Sequence, residues 1–384
     1  MIKLLYCIPS LYNPGGMERI ITDKINSLVE DYKYEVTLVT TDQMGKKFFF
    51  NLNSNIDVRH LDLDFNSTFN LPLLKKRLEI KKRSIIYKKK LEEIIEAKKI
   101  DICISTGGKE LEFLNFLKGN CKKVFESHFS KDYRRQFLVS RSPGLKSEII
   151  GRIRSRQLLK QTRELDKVIV LTQHDLDDWS TSNSNVLQIY NFCSFSSDKI
   201  PDYKIKRAIA VGRLDAQKGF DMLIDSWIIN KDKLVEWHLD IYGQGEWEDM
   251  LKQKIIANKL EQNITLKGVT NDIKTELQNS SLFLFSSRYE GFGLAIIEAM
   301  TVGLPVISFD CPQGPSEMVN ADNGFLIELG DLKGFSNAIV KVTSDDELRK
   351  KMGETSKINS NKFSKSEIMK KWSLVFNDIV KIEK

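Results

Sequence analysis

The chain has 384 residues, 41% of them hydrophobic and 29% charged, and a net charge of +7. That length carries two domains of ordinary size, each with its own core. No apolar run reaches the ~18 residues that argue for a membrane-spanning helix, and the scattered cysteines and histidines argue against a disulfide framework or a zinc site.

In chain order, residues 2–8 read as a first buried strand rather than a signal peptide, since Pro9 ends a short apolar run with no basic leader before it. The turn Asn13-Pro14-Gly15-Gly16 follows. Met17, Ile20, Ile21, Ile25, Leu28 and Val29 then recur at helical spacing. Further strands are expected at 36–39, 100–104, 124–125 and 168–171. Helices are expected at about 74–98 and 146–164, and Thr172 is a candidate N-cap with Asp175 three residues on. Periodicity is lost over 191–205 and then restarts, with strands at 208–212, 239–243, 264–266, 282–285 and 306–309. Residues 364–383 pattern as one amphipathic helix. Alternating strands and helices of this kind predict α/β domains with parallel sheets. The restart predicts two doubly wound domains that offer their strand ends to a shared cleft. The expected boundaries are 1–195, 196–363 and a terminal helix, 364–384, packing back on the first domain.

Charge is unevenly spread: residues 70–160 hold 24 Lys/Arg against 10 Asp/Glu. A solvated helix face explains any single run. For the region as a whole an anionic membrane surface is the favoured partner, since each nearby Lys or Arg adds roughly 1 kcal/mol there. Nucleic acid is disfavoured, because no aromatic-basic interleaving accompanies the charge. The five cysteines, Cys7, Cys103, Cys121, Cys193 and Cys311, read as reduced thiols of a cytoplasmic protein.

The strongest chemical signal is Glu290-Gly291-Phe292-Gly293-Leu294-Ala295-Ile296-Ile297-Glu298, which follows the strand ending near Ser286-Ser287 and opens a helix. A helix start is a ready anion site. Glu290 and Glu298 could each accept hydrogen bonds from the hydroxyls of a polyol. Together these suit a sugar nucleotide, with its diphosphate between two hydroxyl-bearing ends. A helix-dipole acid plus a surface glutamate is the plainer alternative. Val211-Gly212-Arg213-Leu214-Asp215-Ala216-Gln217-Lys218-Gly219 also runs from a strand into a helix. Arg213 and Lys218 could stabilise charge developing on a leaving diphosphate; alone, they would pass for solvated surface cations. Gly15 and Gly16 could let a phosphate approach but lack dinucleotide-fingerprint spacing, and a simple turn explains them equally well. His128 follows the strand near 124–125 and is as fit for a reaction role as for packing. His60, His174 and His238 have no such context. Ser316 and Glu317, after the strand at 306–309, could orient a sugar or phosphate, or belong to a plain loop.

Together these motifs resemble the retaining glycosyltransferases of family 4 and their two-lobed GT-B fold, over essentially the whole chain. The resemblance implies that Arg213 and Lys218 hold the donor diphosphate, that Glu290 contacts sugar hydroxyls and Glu298 the ribose. The backbone of Phe292, Gly293 and Leu294 would reach phosphate and sugar, with Val269 beside the base. Gly16 would approach the phosphate from the first lobe, and His128 would stand near the reacting sugar, with no metal and no cofactor. Many relatives carry a D-x-G-G-type loop where this chain has Cys311-Pro312-Gln313-Gly314-Pro315-Ser316-Glu317. This version is similar to members that use UDP-linked hexose or N-acetylhexosamine donors on lipid-linked saccharides. The implied reaction is front-face retention in surface polysaccharide synthesis, by a cytoplasmic enzyme peripheral on the inner face of the cell membrane. Two rival readings are a UDP-sugar epimerase of the same plan and a non-catalytic nucleotide-sugar-binding protein.

Overall fold

The computed structural model describes residues 1–142 and 144–381. It divides into two compact units: one comprises 1–131, 153–190 and 366–384, the other 132–152 and 191–365.

The first unit holds a parallel sheet of seven strands: β1 (Lys3–Ile8), β2 (Glu35–Thr40), β3 (Asp57–His60), β4 (Ile102–Ser105), β5 (Lys122–Glu126), β6 (Lys167–Val170) and β7 (Val186–Gln188). Their order is β3-β2-β1-β4-β5-β6-β7. The central strands are apolar on both faces, as parallel strands covered by helices must be: Leu4, Leu5, Ile102, Cys103 and Val124 have no exposed surface. Helix α1 (Gly16–Glu30) buries Ile20, Ile21, Ile25 and Leu28, which repeat at three- and four-residue spacing. Helix α2 spans Leu73–Lys98.

Two helices come from the segment between β5 and β6: α3 (Tyr133–Arg141) and α4 (Leu145–Thr162). Residues 132–152 group with the second unit, whereas the sequence reading kept everything up to 195 in the first. The physical reason is aromatic: the Tyr133 ring lies 6.0 Å from that of Tyr289, and the Ser140 hydroxyl is 3.3 Å from the Tyr289 hydroxyl. Helix α5 (Gln173–Ser180) starts at Thr172, whose side chain accepts a hydrogen bond from the Asp175 N–H.

The second unit repeats the plan with β8 (Arg207–Val211), β9 (His238–Tyr242), β10 (Ile264–Gly268), β11 (Leu282–Phe285), β12 (Val306–Asp310) and β13 (Gly324–Glu328). All pair in parallel, in the order β10-β9-β8-β11-β12-β13. Helices α6 (Phe220–Ile229), α7 (Glu248–Ala257), α8 (Ile273–Gln278), α9 (Leu294–Val302), α10 (Pro315–Met318), α11 (Leu332–Thr343) and α12 (Asp346–Ser360) alternate with or follow these strands. The core is built on Trp227, Leu239, Ile241, Phe309 and Phe335. The last helix, α13 (Lys365–Lys381), returns to the first unit. There it buries Trp372 and Phe376, and its Ser373 hydroxyl lies 3.1 Å from that of Tyr34. All five cysteines are buried thiols, and no described helix is long and apolar enough to cross a membrane.

Candidate active site

In the second sheet β8 and β11 are neighbours although two strands separate them in sequence, so strand order reverses between them. Such a switch point leaves a crevice at the carboxyl ends of the strands, where doubly wound sheets bind ligands. Both strong sequence motifs sit there, one after each strand.

The two loops are stitched together. The Ser286 hydroxyl donates to the Lys218 carbonyl at 2.8 Å, and the Arg288 N–H donates to the Gln217 carbonyl at 2.7 Å. The Gln217 amide donates to the Tyr289 carbonyl at 3.1 Å. Gly219 has φ +63°, and a Cβ there would fall 2.2 Å from the Ser286 carbonyl oxygen. Only glycine permits that backbone and that approach. The loop after β12 joins in, with the Glu290 N–H donating to the Pro312 carbonyl at 3.3 Å.

On this scaffold Lys218 and Glu290 meet directly, Nζ to Oε1, at 2.6 Å. Their side chains are only 17% and 8% exposed, so each fixes the other's position. Arg213 is different: its side chain is 65% exposed, 3.2 Å from Asp215, and its guanidinium donates to Gln217 at 2.9 Å. Lys218 is thus a largely buried cation at the crevice and Arg213 a more exposed one. Gly293, at φ +96°, is the N-cap of α9 and offers no side chain to cap it. The N-terminus of that helix thus carries no side-chain cap, the kind of place that suits an anion. Phe292 is buried, Leu294 opens the helix, and Glu298 lies half-buried just over a turn further on. Cys311 is also buried here; burial and the neighbouring Glu290 push its thiol well up, so it stays protonated and is no nucleophile.

Val269 follows β10 and is exposed. Ser316 and Glu317 line a groove of about 340 Å³ with Asn320 and Lys362, and the Lys362 ammonium donates to the Glu317 carbonyl at 2.8 Å. Among the described residues no group of three or more His, Cys, Asp or Glu is arranged to hold a metal.

His128, Gly15 and Gly16 lie in the first unit, at the carboxyl edge of its sheet. Gly15 caps α1 with φ −81°, a conformation open to any residue, but a Cβ there would fall 2.1 Å from the Glu18 carboxylate, which would have to turn aside. The His128 side chain is 2% exposed, and its Nε2 stands 3.0 Å from Glu126 Oε1, outside hydrogen-bond geometry. Glu126 in turn pairs with Lys24 of α1. Sequence reasoning missed Lys24, Glu126, Gln217 and the α3 aromatics. Lys24 carried a readable signal: it falls at four-residue spacing between Ile20 and Leu28, on the face that α1 buries.

Two doubly wound parallel domains of this kind are the GT-B architecture. Residues 196–358 match the family model for Glycosyl transferases group 1. An uncharacterized glycosyltransferase of Haemophilus influenzae is 27% identical, over 97% of this chain and 99% of its own. The amylovoran biosynthesis glycosyltransferase AmsD of Erwinia amylovora is 28% identical, over 98% of this chain and 100% of its own. Among solved structures, TarM of S. aureus, in complex with fondaparinux, α-GlcNAc-glycerol and UDP, superposes with a TM-score of 0.75 at 18% identity, covering 98% of this chain and 100% of that one. The chain thus shares the two-domain fold of these structures, and its second unit carries the match to Glycosyl transferases group 1.

Proposed function

We propose that the protein is a retaining, metal-independent transferase in bacterial surface polysaccharide synthesis. It moves a hexose or N-acetylhexosamine from a UDP-sugar to a lipid-linked saccharide. The observation that carries this reading is the Lys218–Glu290 pair beside the uncapped start of α9, at the switch point. The donor diphosphate lies against Lys218, Arg213 and the N–H groups of α9. Negative charge grows there as the glycosidic bond breaks, so the site favours the transition state over the ground state. Glu290, oriented by Lys218, accepts a sugar hydroxyl, and Glu298 accepts from the ribose. The acceptor hydroxyl attacks from the face the diphosphate leaves, and a departing phosphate oxygen takes its proton. His128 stands near the reacting sugar. AmsD and the UDP complex of TarM support a polysaccharide product and a UDP donor.

Thermal shift against UDP-, GDP- and ADP-sugars, followed by product analysis, tests the proposal. Lys218→Met is expected to lower transfer by about a hundredfold or more, the usual effect of deleting one transition-state charge partner. Full transfer by this variant overturns the assignment. A new epimer formed without acceptor points instead to an epimerase, and binding without turnover to a carrier.

The first half of α2 supports an anionic lipid surface as partner. Leu73, Leu74 and Leu78 are largely exposed, with Lys75, Arg77, Lys81 and Lys82 beside them. Apolar side chains insert while cations meet the headgroups. Binding to anionic vesicles should fall as salt rises, and Leu74→Ser with Leu78→Ser should weaken it. Equal binding to neutral vesicles in high salt excludes this mode.

A further inference from the structure

The first unit buries a lysine, a glutamate and a histidine side by side at the carboxyl end of β5. Lys24 of α1 pairs with Glu126 at the end of β5, and the two side chains are 1% and 0% exposed. His128 lies two residues beyond Glu126 and projects to the same side, with its Nε2 3.0 Å from the same Oε1 that Lys24 holds. The Lys24 ammonium also sits 3.9 Å from the centre of the Trp372 ring of α13 and 5.7 Å from that of Tyr6. Replacing a buried ion pair by apolar residues is typically neutral or stabilising, so stability does not account for this one. Lys24 donates to Glu126 Oε1, while Glu126 Oε2 has no hydrogen-bond partner among the described residues.

We propose that Lys24 and Glu126 are positioning residues for His128. The carboxylate holds the imidazole in place by close contact, Oε1 to Nε2 at 3.0 Å. The ammonium, sandwiched against Trp372, holds the carboxylate. The inference rests on the proposed placement of His128 near the reacting sugar. Glu126 is suited to the task because it stays ionised at any working pH: the neighbouring Lys24 and His128 bring its carboxyl down to about 2 against the pull of burial. The pair is neutral as a whole, so the ring is held without a net charge beside it.

The test is a double-mutant cycle on the full-length protein. Lys24→Met and Glu126→Gln are introduced together, so that no unpaired charge is left buried. UDP release from UDP-glucose and UDP-N-acetylglucosamine is followed in this variant, in His128→Ala and in the triple variant. The paired change is expected to lower kcat at least tenfold, with KM for the donor within twofold. The triple variant should be no slower than His128→Ala, because the positioning residues act only through the ring. If the losses instead multiply in the triple variant, the two residues act independently of His128 and the inference fails. If His128→Ala alone keeps full rate, it is the reading of His128 that fails. Glu126→Asp, which keeps the charge and shortens its reach, serves in the same cycle if the paired variant does not fold. A readout without turnover runs in parallel: the imidazole NMR signals of the four histidines. Only the signal that disappears in His128→Ala should move in the paired variant, while UDP affinity is unchanged. An unmoved His128 signal overturns the proposal.

Discussion

Replacing Lys24 alone by methionine should destabilise the first unit by about 3 kcal/mol at neutral pH. The magnitude follows from the buried pair. The Glu126 carboxyl lies at about 2 in the folded chain against an ordinary value of 4.5, a gap worth about 3 kcal/mol. Because the folded value is the lower one, this contribution is complete above about pH 4.5 and is lost as pH falls towards 2. At Lys24 the direction is opposite in effect: burial outweighs the attraction of Glu126 and draws the ammonium below its ordinary value, which offsets part of the gain. The intact pair therefore adds little net stability, while a single deletion leaves a carboxylate stranded, typically at a cost of about 3–5 kcal/mol. The lower end applies here, because the His128 ring remains 3.0 Å from the carboxylate. For a unit of this size the loss corresponds to about 6–12 °C in Tm. Calorimetric melting of the wild type, Lys24→Met and the paired Lys24→Met/Glu126→Gln variant at pH 7 and near pH 3 gives the measurement. The single variant should melt well below the wild type at pH 7, the gap should narrow near pH 3, and the paired variant should recover most of it. A single variant that melts within 2 °C of the wild type at pH 7 refutes the reasoning, as does a gap that does not depend on pH.

Two further outcomes rest on single residues of the second unit. Gly219→Ala should both destabilise and reduce UDP affinity, since its φ of +63° and a Cβ only 2.2 Å from the Ser286 carbonyl force the two donor loops apart; unchanged affinity by calorimetric titration contradicts the coupling of those loops. Arg349 is 1% exposed and donates to the carbonyls of Tyr203, at 2.5 Å or more, and Val342, at 2.7 Å, so Arg349→Met should cost about 3 kcal/mol in urea unfolding while leaving UDP affinity within twofold.

The legible parts of this fold were those where burial on both faces writes a continuous apolar run. Strands β1, β4, β8, β11 and β12 announce themselves in that way. The three strands absent from the sequence reading, β3, β7 and β13, all lie at sheet edges. There one side meets solvent, and sequences such as Asp57-Val58-Arg59-His60 carry no clear period. The candidate site was legible as two loops at strand ends, because glycines, cations and acids cluster there in sequence. That Lys218 would face Glu290 directly, and Arg213 lean towards Asp215 instead, depended on the strand order of the folded sheet. The grouping of 132–152 with the second unit was hidden for a related reason. It depends on Tyr133 and Ser140 meeting Tyr289, about 150 residues away, and no local pattern encodes such a partner.

The features least required by the fold are the ones most useful for chemistry. Seven parallel strands covered by apolar helices would hold as well with a hydrophobic pair at positions 24 and 126, and the second sheet would close as readily around a loop without left-handed glycines. Ions buried in the first unit and unusual backbone in the second both oppose stability locally. Each occurs at the carboxyl edge of its sheet, where a doubly wound domain meets its ligand. The apolar cores supply the excess stability that tolerates both. This arrangement makes the two kinds of feature separable by experiment. Charge-neutral replacement in the first unit should spare folding and harm turnover, whereas a side chain added at Gly219 should harm both, because there the backbone proposed to bind the donor is also the backbone that joins the loops.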